Sequence, residues 1–154
     1  MSNSCDICKH LNSEDVILAT KYWVVNLSRD QAYLGRSYVL LREHKPSLSS
    51  LSTEEWTEYI DIVRILERSC FEAFGARPFN WSCLMNNSYQ LKRASPHVHW
   101  HFRPRYKNPV TLNGTTFSDP EFGFHYDRTL KSKIDNATFQ IILKTLRSSI
   151  QAHQ

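Results

Sequence analysis

Short runs of apolar residues along the chain predict five β-strands. Segments rich in β-branched and aromatic residues at 15–20, 22–28 and 36–44 predict the first three strands. Two later runs, 79–87 and 97–105, predict the fourth and fifth. The intervening polar stretches predict loops, with a short helix as the alternative over 45–52.

Two other segments have helical periodicity. In the first, Ser52 or Thr53 can cap the start and Gly75 ends the pattern. In the last helix Asp135 is the predicted cap. Spacings of three and four residues indicate that both stripes pack into the core. The stripes comprise Trp56, Tyr59, Ile60, Val63, Leu66, Cys70 and Phe74 in the first helix, and Phe139, Ile142, Leu146 and Ile150 in the last.

The chain length and the lack of a linker predict one domain over 1–154. The loop 88–96 is polar, and the region 108–127 is irregular and rich in Pro, Gly, Asn and aromatic residues. No apolar run approaches the ~20 residues that span a bilayer, and the first residues lack an apolar signal core. We therefore expect a soluble cytoplasmic protein without a membrane partner.

The net charge of +4 is small, but basic and aromatic residues interleave over 92–107. This pattern suits either a nucleic acid or a small phosphorylated ligand, and its short length favours the small ligand. The cysteines comprise a CxxC pair, Cys5 and Cys8, and two isolated residues, Cys70 and Cys83. We expect the isolated pair to be buried in the core.

The stretch SPHVHWHFRPRY places His97, His99 and His101 on alternate positions of the fifth predicted strand. Successive side chains of a strand point to opposite faces, so the three imidazoles share one face, about 6.6 Å apart. Histidine titrates near neutral pH, acts as acid, base or nucleophile, and binds metals. A chance polar face would explain one histidine better than three in register.

This stretch resembles the signature of the histidine-triad family, in which three histidines alternate with apolar residues. Six positions match, and Arg103 stands where the signature ends in an apolar residue. The segment YLGRSYVLLREH also resembles the family, over a likeness that covers roughly 5–107 and leaves 108–154 as a tail. The resemblance implies an α+β fold: a five-stranded, mostly antiparallel sheet with one long helix and a C-terminal helix.

The resemblance also implies a function. Family members act on the α-phosphate of purine nucleotides, such as dinucleoside polyphosphates and nucleoside phosphoramidates, and form a nucleotidyl-histidine intermediate. By this likeness His99 is the nucleophile, oriented by the backbone carbonyl of His97, and His101 donates to the phosphate or the leaving group. The family pairs two units across a helix and a strand, which implies a homodimer.

Further residues match positions at which relatives contact the nucleotide. Arg36 stands where the family commonly has another histidine, and arginine keeps its charge but cannot shuttle protons near neutral pH. Lys92 and Arg93 either contact phosphate or are ordinary solvated loop charges. The full set of nucleotide-binding candidates is Asn86, Ser95, Lys92, Arg93, Arg36, Asn26 and Ser28.

One branch of the family binds structural zinc through a CxxC, a histidine at the end of the third strand and the first triad histidine. By this resemblance the zinc ligands are Cys5, Cys8, His44 and His97. Such a Cys2His2 set is typical of closed, structural zinc sites. His10 is a competing fourth ligand, and a free dithiol is the alternative explanation of the CxxC.

Two other functions fit the same residues. The first is a nucleotide-binding regulator with little catalytic turnover, which Arg36 would favour. The second is a zinc-stabilised nucleic-acid-binding module, although the shortness of the basic segment makes a nucleic-acid partner the weaker choice.

Overall fold

The computed structural model describes residues 5–154, so the first four residues of the predicted domain lie outside the described part. The main sheet contains β1 (Val16–Ala19), β2 (Trp23–Leu27), β3 (Ser37–Leu41), β4 (Phe79–Ser82) and β5 (His99–Pro104). Its order is β1-β2-β3-β5-β4, and every pairing is antiparallel. The helices are α1 (Asp6–Lys9), α2 (Thr53–Phe74) and α3 (Asn136–Gln151), with 3-10 turns at Leu48–Ser50 and Asn86–Gln90. The predicted fold class is confirmed.

The core lies between one face of the sheet and the two long helices. Trp100 and Phe102 of β5 point to this face, and the Trp100 ring stacks on Tyr59 of α2 with ring centroids 4.8 Å apart. The Trp23 indole donates a hydrogen bond of 2.9 Å to the Glu55 carbonyl and so fixes β2 against the start of α2. Because strand residues alternate, the histidines of β5 take the opposite face.

The predicted boundaries of α2 are confirmed. The Ser52 hydroxyl accepts from the Glu55 amide while the Glu55 carboxylate accepts from the Ser52 amide, which forms a capping box. Gly75 ends the helix in the left-handed conformation, with φ 74°. The predicted stripe was wrong at one position, because Ile60 is 50% exposed and Ile62 is the buried residue. In α3 the predicted cap and apolar face are confirmed.

The tail is more regular than predicted. A second, two-stranded sheet pairs β6 (Val110–Leu112) with β7 (Thr115–Phe117) through a tight turn. Asn113 and Gly114 both have positive φ there, the conformation of the preferred two-residue hairpin turn. Arg105 anchors the following segment through a buried ion pair with Asp119, with Nε–Oδ2 2.6 Å.

The ends of three predicted strands were wrong. The third strand was predicted over 36–44, but β3 stops at Leu41. β4 stops at Ser82, and a 3-10 turn follows, so the predicted strand over 83–87 is not formed. Cys83 therefore lies outside the sheet and is only half-buried, whereas Cys70 is buried in α2 as predicted. β5 begins at His99, because the Val98 carbonyl and amide bond to different segments, the Leu41 amide and the Lys45 carbonyl. Within residues 5–154, none of the helices combines the length and apolar character needed to span a membrane.

Candidate active site and metal-binding cluster

The predicted nucleophile is oriented by the backbone of its own strand. The Nδ1 atom of His99 lies 2.8 Å from the His97 carbonyl oxygen, which can only accept, so Nδ1 carries the proton. The lone pair of His99 is then on Nε2, the form in which a neutral imidazole is a nucleophile. The ring of His101 follows on the same face, with ring centroids 5.1 Å apart.

His101 is held in its neutral form. Burial is the main cause that lowers its pKa, to about 3, and the positive charges of Arg103 and Arg36 act in the same direction. The edge of the Tyr38 ring faces the imidazole at a centroid distance of 5.2 Å. A neutral imidazole can donate one hydrogen bond to a phosphate oxygen, but it is a poor source of a proton.

Two adjoining cavities open on the histidine face, with volumes of about 370 Å³ and 400 Å³. The first extends towards β1 and β2, and the second towards the loop before the triad. Both are lined by His99 and His101 of β5 and by the N-terminal arm. The shared lining residues are Asp6, Ile7, Asn87, His99 and His101.

Three of the predicted nucleotide-binding residues line these cavities. Asn26 and Ser28 are buried in the wall of the first, and Ser95 lines the second. The Asn26 amide donates to the His10 carbonyl at 2.7 Å, which ties β2 to the end of α1. Polar side chains therefore line the wall of the first cavity on the side of β2, and the histidines line it on the side of β5.

The other candidates lie away from the cavity lining. Asn86 is exposed at the start of a 3-10 turn, and its neighbour Asn87 lines both cavities instead. Lys92 and Arg93 are exposed on the loop, as expected of solvated charges. The sequence analysis did not predict Asn87, Asp6 and Ile7 as cavity-lining residues. For Asp6 and Ile7 a signal was available, because they lie between the two cysteines of the CxxC.

Arg36 is 8% exposed and its guanidinium is engaged by protein groups. Its Nη1 atom lies 2.6 Å from the Asp30 carboxylate, and its Nη2 atom donates to the Tyr38 hydroxyl at 3.1 Å. It does not line either cavity directly. Arg36 therefore affects the site indirectly. Its charge lowers the pKa of His101, and its hydrogen bond holds the hydroxyl of Tyr38, which lines the first cavity.

A Cys2His2 cluster joins the N-terminal arm to the sheet. One ligand atom from each of Cys5, Cys8, His44 and His97 lies within 4.8 Å of all the others. The His97 Nδ1 atom is 3.3 Å from Cys5 Sγ and 3.4 Å from Cys8 Sγ, and Cys8 Sγ is 3.6 Å from His44 Nδ1. The competing ligand, His10, lies in the lining of the first cavity and outside the cluster.

The donor set of this cluster fits zinc. The His97 Nε2 atom donates to the Leu41 carbonyl at 2.7 Å, which leaves the Nδ1 lone pair directed at the two thiols. Burial also lowers the pKa of His97 and keeps the ring neutral, as metal ligation requires. Two sulfurs and two imidazole nitrogens form the closed tetrahedral set of structural zinc sites.

The comparisons with known proteins come from structure alone. No family model matches the sequence, and no curated protein sequence matches it significantly. Among solved structures, a hypothetical histidine triad nucleotide-binding protein from Sulfolobus tokodaii has TM-score 0.66 and 17% identity, with 96% of this chain and 93% of that chain covered. A Zn-bound histidine triad family protein from Mycobacterium smegmatis has TM-score 0.63 and 16% identity over 97% and 94%. A uridylyltransferase has TM-score 0.68 and 12% identity over 97% of this chain and 46% of its own.

The sheet order, the two long helices and the histidine row define an α+β protein with a histidine-lined cavity on one face of its sheet. The chain has the histidine-triad fold, as the similarity to these structures shows. The resemblance that the sequence indicated is thereby confirmed at the level of the fold, and the cluster predicted from the zinc-binding branch is present.

Proposed function

We propose that the protein is a nucleotide hydrolase or transferase that acts at the α-phosphate of adenine or related purine nucleotides. The observation that carries this proposal is the 2.8 Å contact between His99 Nδ1 and the His97 carbonyl, beside a cavity of nucleotide size. It fixes a nucleophilic nitrogen at the junction of two cavities. The histidine-triad neighbours and the uridylyltransferase support the same reaction class.

In the proposed reaction, the His99 Nε2 lone pair forms a bond to the α-phosphorus. The bond from phosphorus to the leaving group breaks, and the leaving group departs with that electron pair. Nδ1 keeps its proton, so the positive charge of the modified ring is stabilised by the His97 carbonyl. The oxygen of water or of another acceptor then bonds to the phosphorus. The bond from phosphorus to Nε2 breaks with its electron pair returning to His99, and the acceptor's proton is released to solvent. His101 and Ser95, which line the second cavity, would donate hydrogen bonds to phosphate oxygens.

We also propose that the Cys2His2 cluster holds a structural zinc ion. Cys5, Cys8, His44 and His97 would bind it, and the ion would supply a fixed charge and cross-link rather than reaction chemistry. The chain's own contribution is positional: His97 is a ligand through its ring and orients His99 through its carbonyl. The Zn-bound relative supports this assignment.

The predicted homodimer is a proposal that two features support. β4 is at the edge of the sheet, where it can pair with a second copy. On α2, Ile60 and Phe71 are 50% and 47% exposed. They lie eleven residues, or about three turns, apart and so share one face of the helix, which a second copy could cover. Light scattering after gel filtration should give twice the chain mass, and Phe71→Glu should shift it towards the monomer.

The covalent intermediate gives the decisive test of the reaction. Wild-type protein quenched in acid during turnover of an adenylated compound should gain about 329 Da, the mass expected for a nucleotidyl adduct, on His99. His99→Ala should abolish AMP release and still bind AMP. His125→Ala, at an exposed histidine outside the triad, is the matched control and should keep wild-type activity. Turnover that survives His99→Ala near the wild-type rate would disprove the mechanism.

A nucleotide-binding regulator is the second candidate function. The Asp30 ion pair of Arg36 favours it, because the residue that replaces the family's additional histidine is engaged and cannot relay protons. Tight AMP binding without release of AMP from any adenylated compound would support it. Steeply salt-dependent binding of oligonucleotides would instead support the nucleic-acid-binding module.

A further inference from the structure

Four buried side-chain atoms without hydrogen-bond partners cluster around His101, the last histidine of the triad. Among the described residues, no partner is found for Ser82 Oγ, His101 Nδ1, Arg103 Nη1 or Arg36 Nε. Native proteins leave few buried polar groups unpaired, because each one costs desolvation energy that no bond returns. Four such atoms in one place indicate that an acceptor-rich group belongs there.

The strand register shows that these groups are neighbours. Ser82 of β4 is paired with His101 of β5, and Tyr38 of β3 is paired with His101 from the other side. Arg103 follows His101 on the same face, two residues along β5. Arg36 precedes β3 and contacts Tyr38, so all four groups surround one end of the histidine row.

The charges in this cluster do not balance. Arg103 is 5% exposed and packs over the Tyr126 ring at 4.2 Å, but it has neither a carboxylate partner nor a hydrogen bond among the described residues. The nearby carboxylates serve other arginines: Asp30 binds Arg36, and Asp119 binds Arg105. A buried cation without a counter-ion is strongly unfavourable, so the site as a whole favours an anion.

The remaining four residues of the chain cannot supply that anion. Residues 1–4 are Met, Ser, Asn and Ser, and none has an acidic side chain. The first cavity, by contrast, borders this cluster through Tyr38 and His101, which both line it, whereas Arg103 and Ser82 lie behind them. The Tyr126 ring is the contact that a change of the Arg103 rotamer towards His101 would give up, in exchange for a charge-assisted contact with a bound anion.

We propose that Arg103 and Ser82 form a second phosphate subsite, which holds the phosphoryl group next to the one that His99 attacks. This inference rests on the proposed function and narrows its substrate class. The preferred substrates are nucleoside di- or polyphosphates, whose leaving group is a phosphate, rather than phosphoramidates, whose leaving group is an amine. In the family signature this position is apolar, so Arg103 distinguishes this chain.

The chemistry of the leaving group agrees with this choice. When His99 attacks a phosphoanhydride, the bond from the α-phosphorus to the bridging oxygen breaks, and the phosphate leaves with the electron pair without needing a proton. An amine leaving group must be protonated as its bond to phosphorus breaks. Burial and two neighbouring arginines keep His101 neutral by lowering its pKa, which makes it a poor donor of that proton.

Calorimetric titration of AMP and ADP into His99→Ala tests the subsite without turnover. We expect ADP to bind about tenfold or more tightly than AMP, the scale of one charge-assisted contact. Adding Arg103→Leu should remove most of this preference and leave AMP affinity unchanged. Arg103→Lys should keep part of it, and Ser82→Ala should reduce it. Arg64→Leu, at an exposed arginine on α2, is the matched control and should keep the full preference.

The outcomes separate the two proposals. If neither nucleotide binds, the proposed function fails. If AMP binds and ADP binds no more tightly, the subsite is refuted and the proposed function stands. Titration of inorganic phosphate into the AMP complex distinguishes the sources of the anion. Phosphate binding that depends on Arg103, without any ADP preference, would show a free-ion site and overturn the substrate assignment.

Discussion

Two buried arginines, one in β5 and one just after its end, should differ sharply in what their removal does to stability. Arg103 and Arg105 lie two residues apart and are 5% and 2% exposed. We compare Arg105→Leu with Arg103→Leu, since both variants exchange a buried guanidinium for an apolar side chain in the same segment of the chain. The difference between them isolates the effect of hydrogen-bonded partners from the effect of burial.

The magnitude follows from the contacts. Arg105 donates to both oxygens of Asp119, at 2.6 and 3.0 Å, and to Asn80 Oδ1 at 2.9 Å. It also donates to the carbonyls of Glu121 and Phe124 at 2.6 and 2.9 Å. Arg105→Leu leaves a carboxylate that is 1% exposed without its partner, and breaking such a pair costs about 3–5 kcal/mol.

Arg103→Leu removes an unpaired buried cation, so it should leave the free energy of unfolding unchanged or raise it. Urea denaturation followed by circular dichroism should therefore show a loss of about 3–5 kcal/mol for Arg105→Leu alone. For a chain of this size, that loss lowers the melting temperature by roughly 6–20 °C. Equal destabilisation by both substitutions would show that Arg103 has a stabilising partner. It would thereby refute the premise of the phosphate subsite, which is that this buried cation lacks an anion.

Further predictions concern the metal, the pH dependence and the start of α2. Purified protein should contain about one zinc ion per chain, and Cys5→Ser with Cys8→Ser should lose it in metal analysis and melt earlier, unlike Cys83→Ser. The pKa of His101 is about 3 when folded and 6.5 ordinarily, so the unfolded chain binds more protons below pH 6.5. Stability should thus fall with acidification, by up to about 1.4 kcal/mol per pH unit, and urea titrations of His101→Phe at pH 7 and 5 should show a weaker fall. Ser52→Ala should cost about 1 kcal/mol, measured the same way, and an unchanged value would contradict the capping box.

Much of the fold could be predicted because its signals are local. Ser52 and Gly75 bound α2 through caps that depend on a few neighbouring residues. The β6–β7 hairpin was also predictable, since Asn113–Gly114 between two β-branched runs is a strong turn signal that the irregular assignment overlooked. Strand ends were less accessible, because the end of β4 at Ser82 depends on which partner strand is still alongside.

The site divides in the same way. The alternation of β5 was enough to predict that His99 and His101 share a face, and the structure brings both to one cavity. The roles of Arg36 and Asn87 depend on contacts between distant segments, such as the Asp30 ion pair, which have no local sequence pattern. Arg103 was visible only as a departure from the family signature. That its guanidinium is buried without a hydrogen-bond partner depends on how β3, β4 and β5 pack together, and no local sequence pattern shows this.

The N-terminal arm has a consequence for any attempt to characterise the ligand. α1 has four residues, far fewer than an isolated helix needs to persist in water, yet Asp6 and Ile7 line both cavities. Part of the wall of both cavities is thus formed by a segment that would not stay helical without its contacts to the rest of the protein. With the proposed zinc ion holding this arm to the sheet, a chelating agent in a purification buffer would release the arm and alter the apparent ligand preference. An affinity tag fused directly before Cys5 would have the same effect, although neither changes a residue of the triad. Screening is best done on protein whose thiols and metal content have been measured in the same sample.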